Sequence, residues 1–144
     1  MKPLVIVNRG SAQQGKSSSV REVYNVLSKK YTRKVQVLRD DGDILGIVDV
    51  NGVLVGVESQ GDPNSRMLET LNELVDNGCK IIVCASRTTG STCNEVERIT
   101  NLLDADLIWT TNPRTKTTSI IDYIHKKYAE SIVSLVEERI ASMY

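Results

Sequence analysis

A chain of 144 residues with 18 basic and 18 acidic side chains carries no formal net charge, which disfavours a nucleic-acid binder that works by neutralising phosphates. The length fits one domain, residues 1–144, large enough to bury a core without staples. The apolar start Leu4–Val7 is too short for a secretory signal and no run reaches membrane-spanning length, so a cytoplasmic protein with no membrane partner is expected.

The chain alternates apolar runs with helical patterns, a rhythm that predicts an α/β sheet covered by helices. The first run, LVIVN from Leu4, is apolar without interruption, as suits a strand buried on both faces. After two glycines, Val20, Val23, Tyr24 and Leu27 recur at helical spacing and predict a helix over Lys16–Lys30. KVQVLRD alternates like a half-buried strand. Asn51-Gly52 then divides two β-rich runs, the sequence of a type I′ hairpin turn, and predicts antiparallel strands Ile44–Val50 and Val53–Glu58. Asp41-Gly42-Asp43 supplies a second turn that extends the hairpin into a meander. In DPNSRMLETLNELVDNG, Asp62 is placed to cap a helix, Pro63 to open it and Gly78 to end it. Its apolar stripe is Met67, Leu68, Leu71, Leu74 and Val75. KIIVCAS reads as another buried strand. Thr92 and Glu95 have capping-box spacing before a helix carrying Val96, Ile99, Leu102 and Leu103. DLIWTTN is a strand ended by Pro113. A last helix is expected from about Thr118 towards Met143, with Ile121, Ile124, Tyr128, Leu135, Val136 and Ile140 as its stripe. The three cysteines, Cys79, Cys84 and Cys93, form no CxxC pair and read as small buried hydrophobes in a reducing compartment.

Between the first strand and the first helix, Gly10-Ser11-Ala12-Gln13-Gln14-Gly15-Lys16-Ser17 fits G-x-x-x-x-G-K-[ST], with Ser18 following. The chemistry requires these types in this order. Glycines let the backbone curl so that successive N–H groups surround phosphate oxygens. The helix that follows adds its free N–H groups and the positive end of its dipole. A lysine at position 16 reaches outer phosphates, and a hydroxyl at position 17 ligates Mg²⁺.

By this segment and its βα setting, the chain resembles the P-loop, or Walker A, nucleoside triphosphatase and kinase superfamily. The resemblance implies a three-layer α/β fold with a mostly parallel sheet, the antiparallel hairpin Ile44–Glu58 and flanking helices. It also implies ATP or GTP bound over Gly10–Ser18 with Mg²⁺. Family members place a carboxylate at a neighbouring strand end for the metal, and Glu58 holds that position with a glutamate where an aspartate is usual. Glu58-Ser59-Gln60-Gly61 is similar to the D-x-x-G segment of Ras-like GTPases, in which the glycine offers its N–H to the terminal phosphate. The guanine-reading N-K-x-D is absent, so the base stays open.

Arg87, just past a strand's carboxyl end, is a candidate to stabilise charge on a transferring phosphoryl or to bind a substrate anion. Asn112 is a candidate base contact. His125 reads as exposed beside Lys126 and Lys127, and a single histidine excludes a multi-histidine metal site. The resulting expectation is a small NTPase or kinase with Lys16, Glu58 and Arg87 catalytic, Ser17 and Glu58 on the metal, and a small phosphoryl acceptor. The alternative is a nucleotide-responsive switch with little turnover. Its long last helix would then serve a protein partner or a homodimer.

Overall fold

The structure is a computed structural model that describes residues 2–10, 16–33, 35–40, 43–60, 67–87 and 90–142. Its strands are β1 (Leu4–Arg9), β2 (Val35–Asp40), β3 (Ile44–Val50), β4 (Val53–Glu58), β5 (Ile81–Ser86) and β6 (Asp106–Thr111). Its helices are α1 (Lys16–Lys30), α2 (Met67–Asp76), α3 (Ser91–Leu103) and α4 (Ile121–Ala141), the last entered through a 3-10 turn at Thr118–Ile120.

The strands form one sheet in the order β2-β3-β4-β5-β1-β6. β3 alone runs against the other five, pairing antiparallel with β2 and β4. β4, β5, β1 and β6 are joined in parallel. At the β3–β4 turn both Asn51 (φ 52) and Gly52 (φ 92) have positive φ, as a type I′ turn requires. Asp49 serves that turn, its carboxylate accepting the Gly52 N–H at 2.7 Å.

Each face of the sheet has its own apolar layer. Leu4, Ile6, Val55, Val57, Ile81 and Val83 pack with Val20, Val23 and Leu27 of α1 and with Ile132, Val133 and Val136 of α4. Val5, Val7, Ile82 and Cys84 pack with Leu71 and Leu74 of α2 and Val96 and Ile99 of α3. Each fully buried Val, Leu or Ile contributes roughly 1.5–3 kcal/mol of burial. β1 and β5 are buried on both faces, which is why they read as unbroken apolar runs. β2 is an edge strand, and its Val35 and Val37 are exposed.

Several expected details differ. α3 is capped by Gly90 rather than by a Thr92–Glu95 box. The Thr92 hydroxyl instead accepts the Arg87 N–H, and Glu95 pairs with Arg98. Leu68, Leu102, Ile121 and Leu135, placed in apolar stripes by spacing, are exposed. The buried line of α4 is Ala129, Ile132, Val133, Val136 and Ile140. Gly78 ends α2 as expected: its N–H reaches Val75 O, and the Cys79 N–H reaches Leu74 O, the paired bonds of a Schellman end. The expected cap at Asp62 and Pro63 lies outside the described residues. Cys79 and Cys84 are buried and Cys93 is half-buried, all three free. No helix among the described residues is long and apolar enough to cross a membrane.

The closest fit between the sheet and α1 is at Gly46. A Cβ there would lie 2.5 Å from Cε2 of the buried Tyr24 ring. Gly46→Ala is therefore expected to lower stability by about 1–3 kcal/mol, because the ring must shift within a packed layer. Urea midpoints would measure it, and a loss below about 0.5 kcal/mol, the scatter of surface substitutions, would contradict the packing.

Candidate functional site

The carboxyl ends of β4, β5, β1 and β6 lie along one edge of the sheet. From this edge the chain leaves β1 into α1 on one face and leaves β5 into α3 on the other. Two neighbouring strands whose connections diverge to opposite faces open a crevice between them, the place where open α/β sheets take ligands. Gly10 and Arg87 flank this crevice. Arg9 is in register with Ser86, and the Gly10 N–H donates to Ser86 O at 3.1 Å. Arg87, half-buried, therefore starts beside the first glycine of the G-x-x-x-x-G-K-S segment. Its backbone is fixed on three sides: its N–H donates to Thr92 Oγ1, and its carbonyl accepts from Ser86 Oγ and Cys93 Sγ.

Of the segment itself, Ser11, Ala12, Gln13, Gln14 and Gly15 lie outside the described residues, as does Gly61. Lys16 and Ser17 are described as the first helical residues of α1 but not in their side chains. Ser18 is exposed. No acidic side chain stands in the first turn of α1, and its basic Lys29 and Lys30 stand in the last. Lys16 is thus a cation at the positive end of a helix dipole, an arrangement that costs stability.

Asn8, Ser19 and Asn112 form a buried polar cluster beneath this edge. Asn8 and Ser19 are fully buried and Asn112 nearly so, at 2% exposure. Asn112 Oδ1 accepts from Asn8 Nδ2 at 2.9 Å and from Ser19 Oγ at 3.0 Å, and the Asn112 N–H donates to Arg9 O at 2.8 Å. Asn112 thus faces inward, where the sequence suggested contact with a base. Ser19 was missed from the sequence, although it shares a helical face with Val23 and Leu27. Arg9, whose guanidinium lies 4.9 Å from the centre of the Trp109 ring, is held on the α3 side of the edge.

Glu58 is on β4, level with Cys84 of β5 and, through it, with Val7 of β1. Two strand spacings, about 10 Å, separate it from β1. Its carboxyl is fully buried on the α2 face. One oxygen accepts the Gln60 N–H, and the other lies 3.1 Å from Thr70 Oγ1 of α2. Burial pushes this carboxyl up to about 8, against the lowering effect of those two hydrogen bonds. Arg39, Asp43, Leu45 and Thr70 close around it without room for a water molecule. The metal role expected of Glu58 would set a cation against oxygens that already meet Gln60 and Thr70.

A groove of about 360 Å³ lies between the first halves of α1 and α4, lined by Ser18, Arg21, Glu22, Asn25, Asp122, His125 and Lys126. His125 is half-buried here rather than exposed. The helical spacing of both lining sets was visible in the sequence, but not that the two helices are neighbours. Among the described residues, no three His, Cys, Asp or Glu side chains converge to hold a metal.

Neither family models, curated proteins nor solved structures match the chain.

Proposed function

We propose that the chain is a P-loop protein that binds a nucleoside triphosphate with Mg²⁺ and hydrolyses it or transfers its terminal phosphoryl to a small acceptor. One observation carries the reading: the G-x-x-x-x-G-K-S segment leaves β1 beside the crevice between β1 and β5 and runs directly into the N-terminus of α1. In this reading the backbone of Gly10–Ser18 holds the phosphates, Lys16 meets the outer ones, and Arg87 faces them across the crevice. Ser17 would offer its hydroxyl to Mg²⁺, which would supply charge neutralisation to the phosphates when bound. The groove beside Ser18 has the size and polarity to take the nucleoside. Glu58 is better read as a latch between β4 and α2, because its oxygens are committed to Gln60 and Thr70.

That sequestered carboxyl favours a second reading, a nucleotide-responsive switch with little turnover. Phosphate release from ATP and GTP, with and without small alcohol, amine or phosphate acceptors, separates the two. The enzyme reading expects Mg²⁺-dependent turnover that falls about 100-fold in Arg87→Ala, as for loss of one transition-state donor, with nucleotide affinity changed much less. Tight binding with no turnover under any acceptor would leave the switch.

A further inference from the structure

We infer that Asn112 is a positioning residue for the nucleotide site, holding both flanks of the phosphate-binding segment through one amide oxygen. The inference rests on the reading of Gly10–Ser18 proposed above. Asn8 immediately precedes the last residue of β1, and Ser19 is the fourth residue of α1. They bracket the whole segment, and both donate to Asn112 Oδ1. The backbone of Asn112 adds a third tie, its N–H donating to Arg9 O. The strand end, the first turn of α1 and the start of the β6–α4 connection therefore share one hinge point beneath the phosphates.

The site has a physical reason to be fixed there. Backbone N–H donors serve a charged ligand well only when they are aimed before it arrives, since ordering them on binding subtracts from affinity. A buried amide oxygen receiving two donors is a strong spatial constraint, because it ties two buried side chains to one point. Asn112 is 104 positions from Asn8 and 93 from Ser19, so the constraint acts on tertiary position rather than on local helix or strand formation.

The test uses the full chain with Asn112→Ala, Ser19→Ala, the double variant and Asn112→Asp, which keeps an accepting oxygen. Hydrogen exchange of peptides covering residues 8–20 in the free protein is read first. Asn112→Ala is expected to speed it at least tenfold while peptides from β3 and β4 stay unchanged, and Asn112→Asp is expected to restore slow exchange. Ser19→Ala, a smaller change, should give part of the effect, and the double variant no more than Asn112→Ala alone. Mg²⁺-ATP and Mg²⁺-GTP affinities, measured well below the melting temperature, are expected to fall about tenfold in Asn112→Ala. Unchanged exchange in both single variants would overturn the inference. So would faster exchange accompanied by wild-type affinity. Wild-type protein that binds neither nucleotide would overturn the reading of the site, while the exchange results would still decide whether Asn112 holds the two flanks.

Discussion

Replacing Glu58 with Gln is expected to stabilise the protein at pH 8 and to leave it nearly unchanged at pH 5. Thr70 Oγ1 lies 3.1 Å from both Glu58 Oε2 and Met67 O, yet a hydroxyl has one hydrogen to give. If that hydrogen goes to the Met67 carbonyl, the proton between Thr70 and Glu58 must come from the acid. A neutral carboxyl suits both of its hydrogen-bond partners: it donates to Thr70 and accepts from Gln60. An ionised one leaves a charge buried where no water molecule fits. The folded carboxyl accordingly titrates near 8, against 4.5 for the ordinary group. Between those values the folded state keeps a proton that the unfolded chain has shed. The stability this group provides is therefore complete below about pH 4.5 and is lost as pH rises through 8. Its steepest slope is about 1.4 kcal/mol per pH unit. Glutamine reproduces the neutral acid, its amide donating to Thr70 and its carbonyl accepting from Gln60, and it does not titrate. Urea midpoints from pH 5 to pH 8 should show the wild type falling relative to Glu58→Gln, by about 2 kcal/mol or more at the upper end. Parallel profiles would mean that Glu58 is ionised in the folded protein, and would return it to the candidates for a metal ligand.

Much of the local structure was legible before the fold. The period of Val20, Val23, Tyr24 and Leu27 gave α1 its observed limits, and Asn51-Gly52 fixed both strands of the hairpin, because these signals are written over a few neighbouring residues. What the sequence withheld was non-local. Nothing in it places β5 between β1 and β4, and that insertion is what carries Glu58 two strands away from the phosphate-binding segment. Apolar spacing also overstated burial: Leu102 on α3 and Leu135 on α4 have the right period, yet both are exposed. Thr92 and Glu95 had the spacing of a capping box, yet Gly90 begins the helix and frees Thr92 to hold the Arg87 backbone. For the candidate site, the Gly10–Ser17 pattern was visible in full. Its support by Asn8, Ser19 and Asn112 was not, since no local pattern shows that Asn112 returns to meet the two flanks.

The largest effect is expected at Lys16. It is the first residue of α1, the positive end of the helix dipole, and no acidic residue shares that turn. Structural stability gives no reason for a cation there, and Lys16→Ala should leave the fold unchanged or raise its stability by about 0.3–1 kcal/mol. Binding should move the other way. A charged hydrogen bond to an outer phosphate contributes about 1.5–3 kcal/mol, and removing the charge from the most anionic part of the ligand is expected to cost affinity about 100-fold. Opposite signs on stability and affinity in one variant would distinguish a functional lysine from a structural one.

The most direct measurement is calorimetric titration of wild type and Lys16→Ala with non-hydrolysable ATP and GTP analogues, each with and without Mg²⁺. The account predicts Mg²⁺-dependent binding of at least one nucleotide by the wild type and about a 100-fold loss in a variant that remains as stable. Binding to neither nucleotide, or equal affinity in the two proteins, would contradict it.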